Sequence, residues 1–347
     1  MSKTMIATDN SHFTPVPRGK LSYFKGKLNH LTQKWRPANG TSNLVAFPEP
    51  RSRLRKELNK ASLIGQTPDG KHIYLFDYRP FSSVIRELGR LRELSFRAVG
   101  EGTMKARDLD QYDSYYRHII LWDDVEADIV GSYRIGDAAA ILQRRQLDAL
   151  YTHELFTFSA ELIQQLQQGL ELGRSFIQPK YWGKRSLDYL WQGIGAYLNA
   201  NPHIRYLFGA VSISDDYPDP AKALLTHFYS THYSGTAGSV KARTPFQNAL
   251  ANPFVRNNID QDFKLLKSLL SEHNKTVPIL FKHYADFCSA GGVRFLAFNV
   301  DHSFNHCVDG FAIADLSKIK DKKYQRYIAN HKPNTDLKAD DCKQVLR

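Results

Sequence analysis

The chain has 347 residues, 42% of them hydrophobic, which is enough to bury one large core or two modest ones. No apolar run reaches the ~18 residues of a spanning helix, and the first residues, with Asp9 and Pro15, lack the apolar core of a signal peptide, so a soluble cytoplasmic protein is expected. The formal charge of +12 is uneven: residues 1–71 hold 13 Lys and Arg against 4 Asp and Glu, and the remaining 276 residues hold 34 against 31, so the basic character belongs to an N-terminal appendage suited to an anionic surface.

In chain order, Pro15 and Pro17 predict an irregular start over residues 1–20. Leu21, Phe24, Leu28, Leu31 and Trp35 then recur at helical spacing opposite Lys20, Lys25, Lys27 and Lys34. This short basic amphipathic helix suits either an anionic inner-membrane face or packing on the following domain. Arg51, Arg53, Arg55 and Lys56 form a second basic cluster before the turn at Pro68-Asp69-Gly70. The folded domain is expected over residues 72–330: a strand from Ile73, a helix over 82–96, strands over 118–122 and 129–135, and a helix around 160–168. After the central unit described next come a helix over 218–229, a polar insertion over 233–275, a helix over 278–289 and strands over 293–298 and 308–314. A basic tail occupies 331–347. Cys288, Cys307 and Cys342 are odd in number and lack metal-ligand spacing, which fits a reducing compartment. His302-x-x-x-His306 with Asp301 and Asp309 sits at a strand end with no evident helix, so no metal site is expected. His118-x-x-x-x-Asp123 matches an O-acyltransferase pattern, but the apolar residues between read as a buried strand. No aromatic–basic module points to nucleic acid.

The stretch from Leu170 to Leu198 organises the rest. Leu170, Leu172 and Phe176 mix with Glu171, Arg174 and Ser175 as in a strand with one polar face, and Pro179 stops pairing after it. Leu187, Leu190, Trp191, Ile194 and Leu198 then form one helical stripe, and a second apolar run follows from Arg205. The intervening basic turn leads into a helix N-terminus, whose free N–H groups suit an anion. This unit resembles the central motif of the GNAT N-acyltransferase superfamily, in which the turn holds a cofactor pyrophosphate. The match here is Lys180-Tyr181-Trp182-Gly183-Lys184-Arg185, with Arg185 where the superfamily has a small residue. A crowded turn favours a single phosphate over a nucleotide.

Further motifs narrow the resemblance. Leu94-Ser-Phe-Arg97-x-x-Gly-Glu101-Gly, Asp110-x-x-Asp113, His118-x-x-Leu121-Trp122-Asp123, Gly131-Ser-Tyr-Arg134 and Glu171-Leu-Gly-Arg174-Ser-x-x-x-Pro179-x-Tyr181 together are similar to the ornithine lipid synthase family, once labelled haemolysin-like. More distantly their order resembles acyl-homoserine lactone synthases, although Gly173 and Ser175 depart from the Ser and Phe of that motif. The resemblance covers residues 72–330 and implies an α/β GNAT-like fold, a mixed central sheet flanked by helices. It implies N-acylation of an amino acid such as ornithine by a long-chain fatty acyl group, 3-hydroxy chains included. The acyl group would come on the 4'-phosphopantetheine of acyl carrier protein, with acyl-CoA as the other donor and no resident cofactor.

For the chemistry, amide formation from a thioester needs a proton acceptor and oxyanion donors. Glu171 is the candidate base, acting directly or through water, with Glu101 the other carboxylate open to that role; Arg174 and Ser175 stand beside Glu171, and backbone N–H groups near Ser175–Ile177 are the donors if the strands splay. Lys180, Gly183, Lys184 and Arg185 are the candidate phosphate and carrier contacts. Arg97, Glu101, Asp110, Asp113 and Arg134 are the candidate acceptor side, by direct contact or as an ion-pair network ordering a loop over the site. The rival readings are lactone synthesis, lysophospholipid O-acylation and a non-catalytic basic membrane-binding protein.

Overall fold

The computed structural model describes residues 44–255 and 258–329. In chain order its elements are α1 (Arg51–Leu58), β1 (Ser62–Gln66), β2 (His72–Phe76), α2 (Ser83–Arg97), β3 (Arg117–Asp123), β4 (Asp128–Asp137), α3 (Ala138–Leu142), β5 (Phe156–Phe158), α4 (Ala160–Leu166) and β6 (Gly169–Ile177). There follow α5 (Ser186–Ala200), β7 (Tyr206–Ile213), α6 (Asp219–His232), β8 (Val240–Ala242), α7 (Ile259–Glu272), α8 (Ile279–Ala285), β9 (Val293–Asp301), β10 (Cys307–Asp315) and α9 (Asp321–Tyr324). Among the described residues the main sheet has eight strands in the order β1-β2-β3-β4-β6-β7-β10-β9, antiparallel except for the central β6–β7 pair. It is the mixed sheet with helices on both faces that the sequence led us to expect.

Alternation along β6, reset by the bulge at Arg174 and Ser175, builds the two layers. Leu170 and Leu172 face the layer that contains Leu190, Trp191 and Ile194 of α5, while Phe176 joins Leu88 and Leu91 of α2 on the other side. Each fully buried aliphatic or aromatic side chain contributes about 1.5–3 kcal/mol relative to exposure. The parallel ladder consists of Gly169↔Tyr206, Leu170↔Leu207 and Glu171↔Phe208 and ends there. Gly209 lies against Leu172, where an added Cβ would stand 2.1 Å from the carbonyl oxygen; beyond that contact β6 keeps its pairing to β4 and β7 to β10. On the β4 side the register shifts between Ser132↔Phe176 and Arg134↔Gly173, so Arg174 and Ser175 together oppose Tyr133. Arg174 has φ +47°, a bulge that re-aims its side chain at the point where the central strands part.

Three expected boundaries move. The fold starts before residue 72: β1 pairs with β2, and Leu54 and Leu58 of α1 pack with Phe76 and Leu88, so residues 51–71 are not an appendage. The insertion over 233–275 contributes β8, which pairs with β5, and α7, whose Leu266 and Leu270 are buried in the core. Residues 325–329 continue as a helical turn that seats Tyr327 against Gly195 of α5. The irregular start, the amphipathic helix over 21–35, Cys342 and the tail over 331–347 lie outside the described residues.

Candidate active site

The parting of β6 and β7 leaves a gap flanked by backbone groups that the ladder does not use, and the polar residues of the chain converge beside it. Glu171 holds the last ladder position on β6 and is 2% exposed. Its Oε2 accepts from the Tyr116 hydroxyl and from Tyr151 N at 3.2 Å, and its Oε1 accepts from Thr152 N at 2.7 Å. Both oxygens are therefore engaged by the loop before β3 and the turn before β5. Burial raises the Glu171 carboxyl, against the pull of Tyr116 and Thr152.

From the bulge, Arg174 places Nε 3.1 Å from Asp108 Oδ2 and Nη2 3.5 Å from Asp110 Oδ2, and donates to the Tyr151 hydroxyl at 2.9 Å. Its guanidinium lies between the rings of Tyr151 and Phe304, 4.7 and 4.8 Å from their centroids. Asp110 caps a single helical turn, Gln111–Ser114, through the N–H groups of Tyr112 and Asp113, and the Asp113 side chain closes the capping box. Arg134 on β4 joins the same group, 2.5 Å from Asp110 Oδ1 and 3.3 Å from Asp113 Oδ1. Arg92 of α2 completes it at 2.7 Å from Asp113 Oδ1, with His118 Nδ1 at 3.1 Å from its other nitrogen. Burial alone would raise the Asp113 carboxyl, but Arg92 and Arg134 hold it well below the usual range. Burial and the charge of Arg92 push His118 down to about 3, so this histidine is neutral and serves the network. Asp123, its expected partner in the His-x4-Asp reading, stands at the far end of β3 beside Lys71.

Glu101 enters from the other flank. It is 7% exposed, with Ser212 of β7 as its hydrogen-bond partner and the charge of Arg174 acting on it. Burial, followed by these partners in the opposite direction and by Asp216, leaves its carboxyl raised to about 7. Asp309 of β10 is raised well above the usual range by burial and by its neighbours Asp301 and Glu101. Arg97 stands at the base of the loop: its Nε lies 2.6 Å from Glu93 Oε1 and its Nη2 donates to Lys105 O at 2.8 Å. It orders the loop that carries Glu101. Ser175 lies beside the buried Tyr133 hydroxyl on the α5 face, away from Glu171. The structure thus gathers Glu101, Asp110, Asp113, Arg134, Glu171 and Arg174. To them it adds Arg92, Asp108, Tyr116, Tyr151, Asp301 and Asp309, for which the motif reading gave no substrate role.

The basic turn is separate from this network and open. Gly183 has φ +77° and nothing within 4 Å of an added Cβ. Lys180 pairs with Asp128, Lys184 lies 5.2 Å from the Tyr181 ring centroid and Arg185 lies 3.1 Å from Asp188. No side chain caps the N-terminus of α5, so its first N–H groups remain available to an anion. His302 and His306 contact each other at 2.9 Å, and among the described residues no group of His, Cys, Asp and Glu has a metal-holding arrangement.

Comparison with known proteins agrees with the fold. Residues 91–192 match the family described as acetyltransferase (GNAT) domain. The chain is 26% identical over 303 residues to a glycine N(alpha)-acyltransferase of Phocaeicola vulgatus, covering 82% of this chain and 92% of that protein. It is 27% identical over 309 residues to a glycine N(alpha)-acyltransferase of Bacteroides thetaiotaomicron, covering 83% and 91%. An L-ornithine N(alpha)-acyltransferase of Agrobacterium fabrum is 33% identical over 118 residues, 31% of this chain and 38% of that protein. No solved structure matches.

Proposed function

The chain is an acyltransferase built on a GNAT domain, and from that premise we propose that it moves a long-chain fatty acyl group from acyl carrier protein to the amine of a small amino acid, glycine or ornithine. The observation that carries the reading is the β6–β7 parting after Glu171↔Phe208, with the Arg174 bulge on one lip and a buried carboxylate-rich network beside it. Backbone N–H groups at such a parting suit a thioester oxygen, which gains charge in the transition state. The uncapped start of α5, with Lys180, Lys184 and Arg185 around Gly183, suits the phosphate of a phosphopantetheine arm, and the exposed lysines suit an acidic carrier surface. Over most of its length the chain resembles enzymes named for glycine, which favours a small acceptor.

The product would be an acylated amino acid that partitions into a membrane, and the outward face of α1 fits that setting. Arg51, Arg53, Arg55 and Lys56 are exposed on it, while Phe47 before it and Phe81 after β2 are 91% and 97% exposed. Basic side chains with projecting aromatic rings suit peripheral contact with anionic lipid at the inner membrane face. No helix among the described residues is long and apolar enough to cross a membrane.

The test is turnover by purified protein with long-chain acyl carrier protein and a panel of amines, read by mass spectrometry, beside lipid extracts of expressing cells. An acyl amide of glycine or ornithine is the expected product. A homoserine lactone or an acylated lysophospholipid would replace the proposal by the corresponding transfer, and no acyl product from any amine would overturn it.

A further inference from the structure

We propose that Glu101, rather than Glu171, is the carboxylate that takes the proton from the acceptor amine, a refinement that rests on the acyl-transfer reading above. Glu171 closes the ladder from below, with both oxygens already accepting from Tyr116, Tyr151 and Thr152. Those donors come from two loops that are also joined by Tyr151 N donating to the Tyr116 hydroxyl at 3.1 Å and by the Tyr115 hydroxyl donating to Ala149 O at 3.1 Å, so the carboxylate acts with them as a strut. Glu101 is held in a different way. Its loop is clamped to the end of β7 and to the β9–β10 turn: Ser214 Oγ donates to Val99 O, and Asn305 Nδ2 donates to Gly100 O at 2.9 Å. Gly100, at φ +80°, sits so close that an added Cβ would stand 2.7 Å from Asp216 Cγ and 2.8 Å from Ser214 Oγ. The clamp carries the Glu101 side chain to Ser212, four positions past Phe208, the last β7 residue paired with β6. Glu101 therefore lies along the stretch of β7 that the ladder has released, with Arg174 of the opposite lip as its charge partner.

The groups facing Glu101 set its proton affinity. Arg174 comes from β6, Ser212 from β7, Asp216 and Tyr217 from the loop after it, and Cys307 and Asp309 from β10, with Asp301 of β9 beside Asp309. Oxygens of Asp216, Asp301 and Asp309 surround the single guanidinium and can accept from an ammonium ion. Burial there raises Glu101 to about 7, where a base is ionised part of the time and still accepts a proton readily.

The step balances without a further reagent. Glu101 takes one proton from the bound ammonium, and the freed nitrogen pair forms the C–N bond to the thioester carbon. The C–S bond then breaks with its electron pair on sulfur, the second nitrogen proton passes to that thiolate, and Glu101 returns its proton to solvent.

The test is the pH dependence of kcat at saturating amine for wild type, Glu101→Gln, Glu171→Gln and Asp216→Asn, with thermal unfolding of each. Wild type should show a limb rising through about pH 7. Glu101→Gln should lose that limb and ~100-fold or more in kcat while unfolding within a few degrees of wild type. Asp216 is exposed, and removing its charge should move the limb to lower pH. A folded Glu101→Gln that keeps the limb, or a limb lost in Glu171→Gln alone, overturns the proposal. If Glu101→Gln fails to fold, the Asp216→Asn profile decides, and an unmoved limb overturns it. A wild-type protein that acylates no amine removes the acyl-transfer reading itself, an outcome distinct from all of these.

Discussion

Replacing Glu171 by Gln separates a strut from a base. The carboxylate accepts three hydrogen bonds from Tyr116, Tyr151 and Thr152 at 2% exposure. Gln keeps the shape and one acceptor oxygen, but its amide N–H groups then face Tyr151 N, which donates, and only the Tyr116 hydroxyl beside it can accept. Losing one bond to a charged acceptor and leaving a buried donor without a partner costs about 1.5–3 kcal/mol. Relief of burying the charge offsets part of this, so a net loss of about 2 kcal/mol follows, or about 3 °C in Tm for a domain of this size. The sign with pH is fixed by the raised folded-state pKa. Folded protein binds the Glu171 proton more tightly than the unfolded chain, so this contribution is fully present below the ordinary glutamate value and fades as pH rises through the raised one. The Gln side chain does not titrate. The Tm gap between wild type and Glu171→Gln should therefore be widest below the ordinary glutamate value and narrow as the pH rises above it in scanning calorimetry. A Tm unchanged to within 1 °C together with abolished turnover would refute the strut and restore Glu171 as the base.

Other perturbations probe the remaining parts. Gly173 has no atom within 4 Å of an added Cβ, so Gly173→Ala should leave Tm within about 1 °C while raising KM for the acceptor amine if that hollow seats it; an unchanged KM would place the acceptor elsewhere. Arg134→Met leaves Asp110 and Asp113 without a shared cation and should cost about 3–5 kcal/mol, roughly 5–8 °C in Tm by calorimetry, with part of it recovered when Asp113→Asn is added. Lys184→Glu should raise KM for acyl carrier protein with kcat nearly constant, and the difference should shrink as salt is added; equal KM values at low salt would remove the turn from the carrier contact. Phe47→Ser with Phe81→Ser should weaken sedimentation with phosphatidylglycerol vesicles without lowering Tm, since both rings are already exposed.

How much of this was legible depended on where the information lay. The strand, turn and helix from Gly169 to Ala200 announced themselves because alternation, Pro179, Gly183 and the helical stripe are local signals, and the observed elements follow them closely. β1 escaped because five residues containing Gly65 carry little strand signal of their own and are held by pairing with β2. Arg92 escaped because it interrupts the apolar face of α2 and reads as a solvated charge until Asp113 and His118 are seen around it. Asp301 and Asp309 drew notice only as neighbours of two histidines. What gives them meaning is the strand order β7-β10-β9, which carries them across about 200 residues to Glu101, and no spacing rule encodes that.

The two candidate bases show the same limit in sharper form. A strand pattern places Glu171 on the polar face of β6 at the edge of the gap, a position that suits a proton acceptor on local grounds. Whether its oxygens are available depends on Tyr116 and on the N–H groups of Tyr151 and Thr152, which arrive from loops with no periodicity to read. Glu101 sits in a glycine-flanked loop with no periodicity of its own, yet the close approach of Gly100 to Ser214 and Asp216 fixes it at the end of β7. Availability and fixation, the two properties a base needs, are both set by tertiary contacts, so the carboxylate that is easier to find in the sequence is the one the fold has already used.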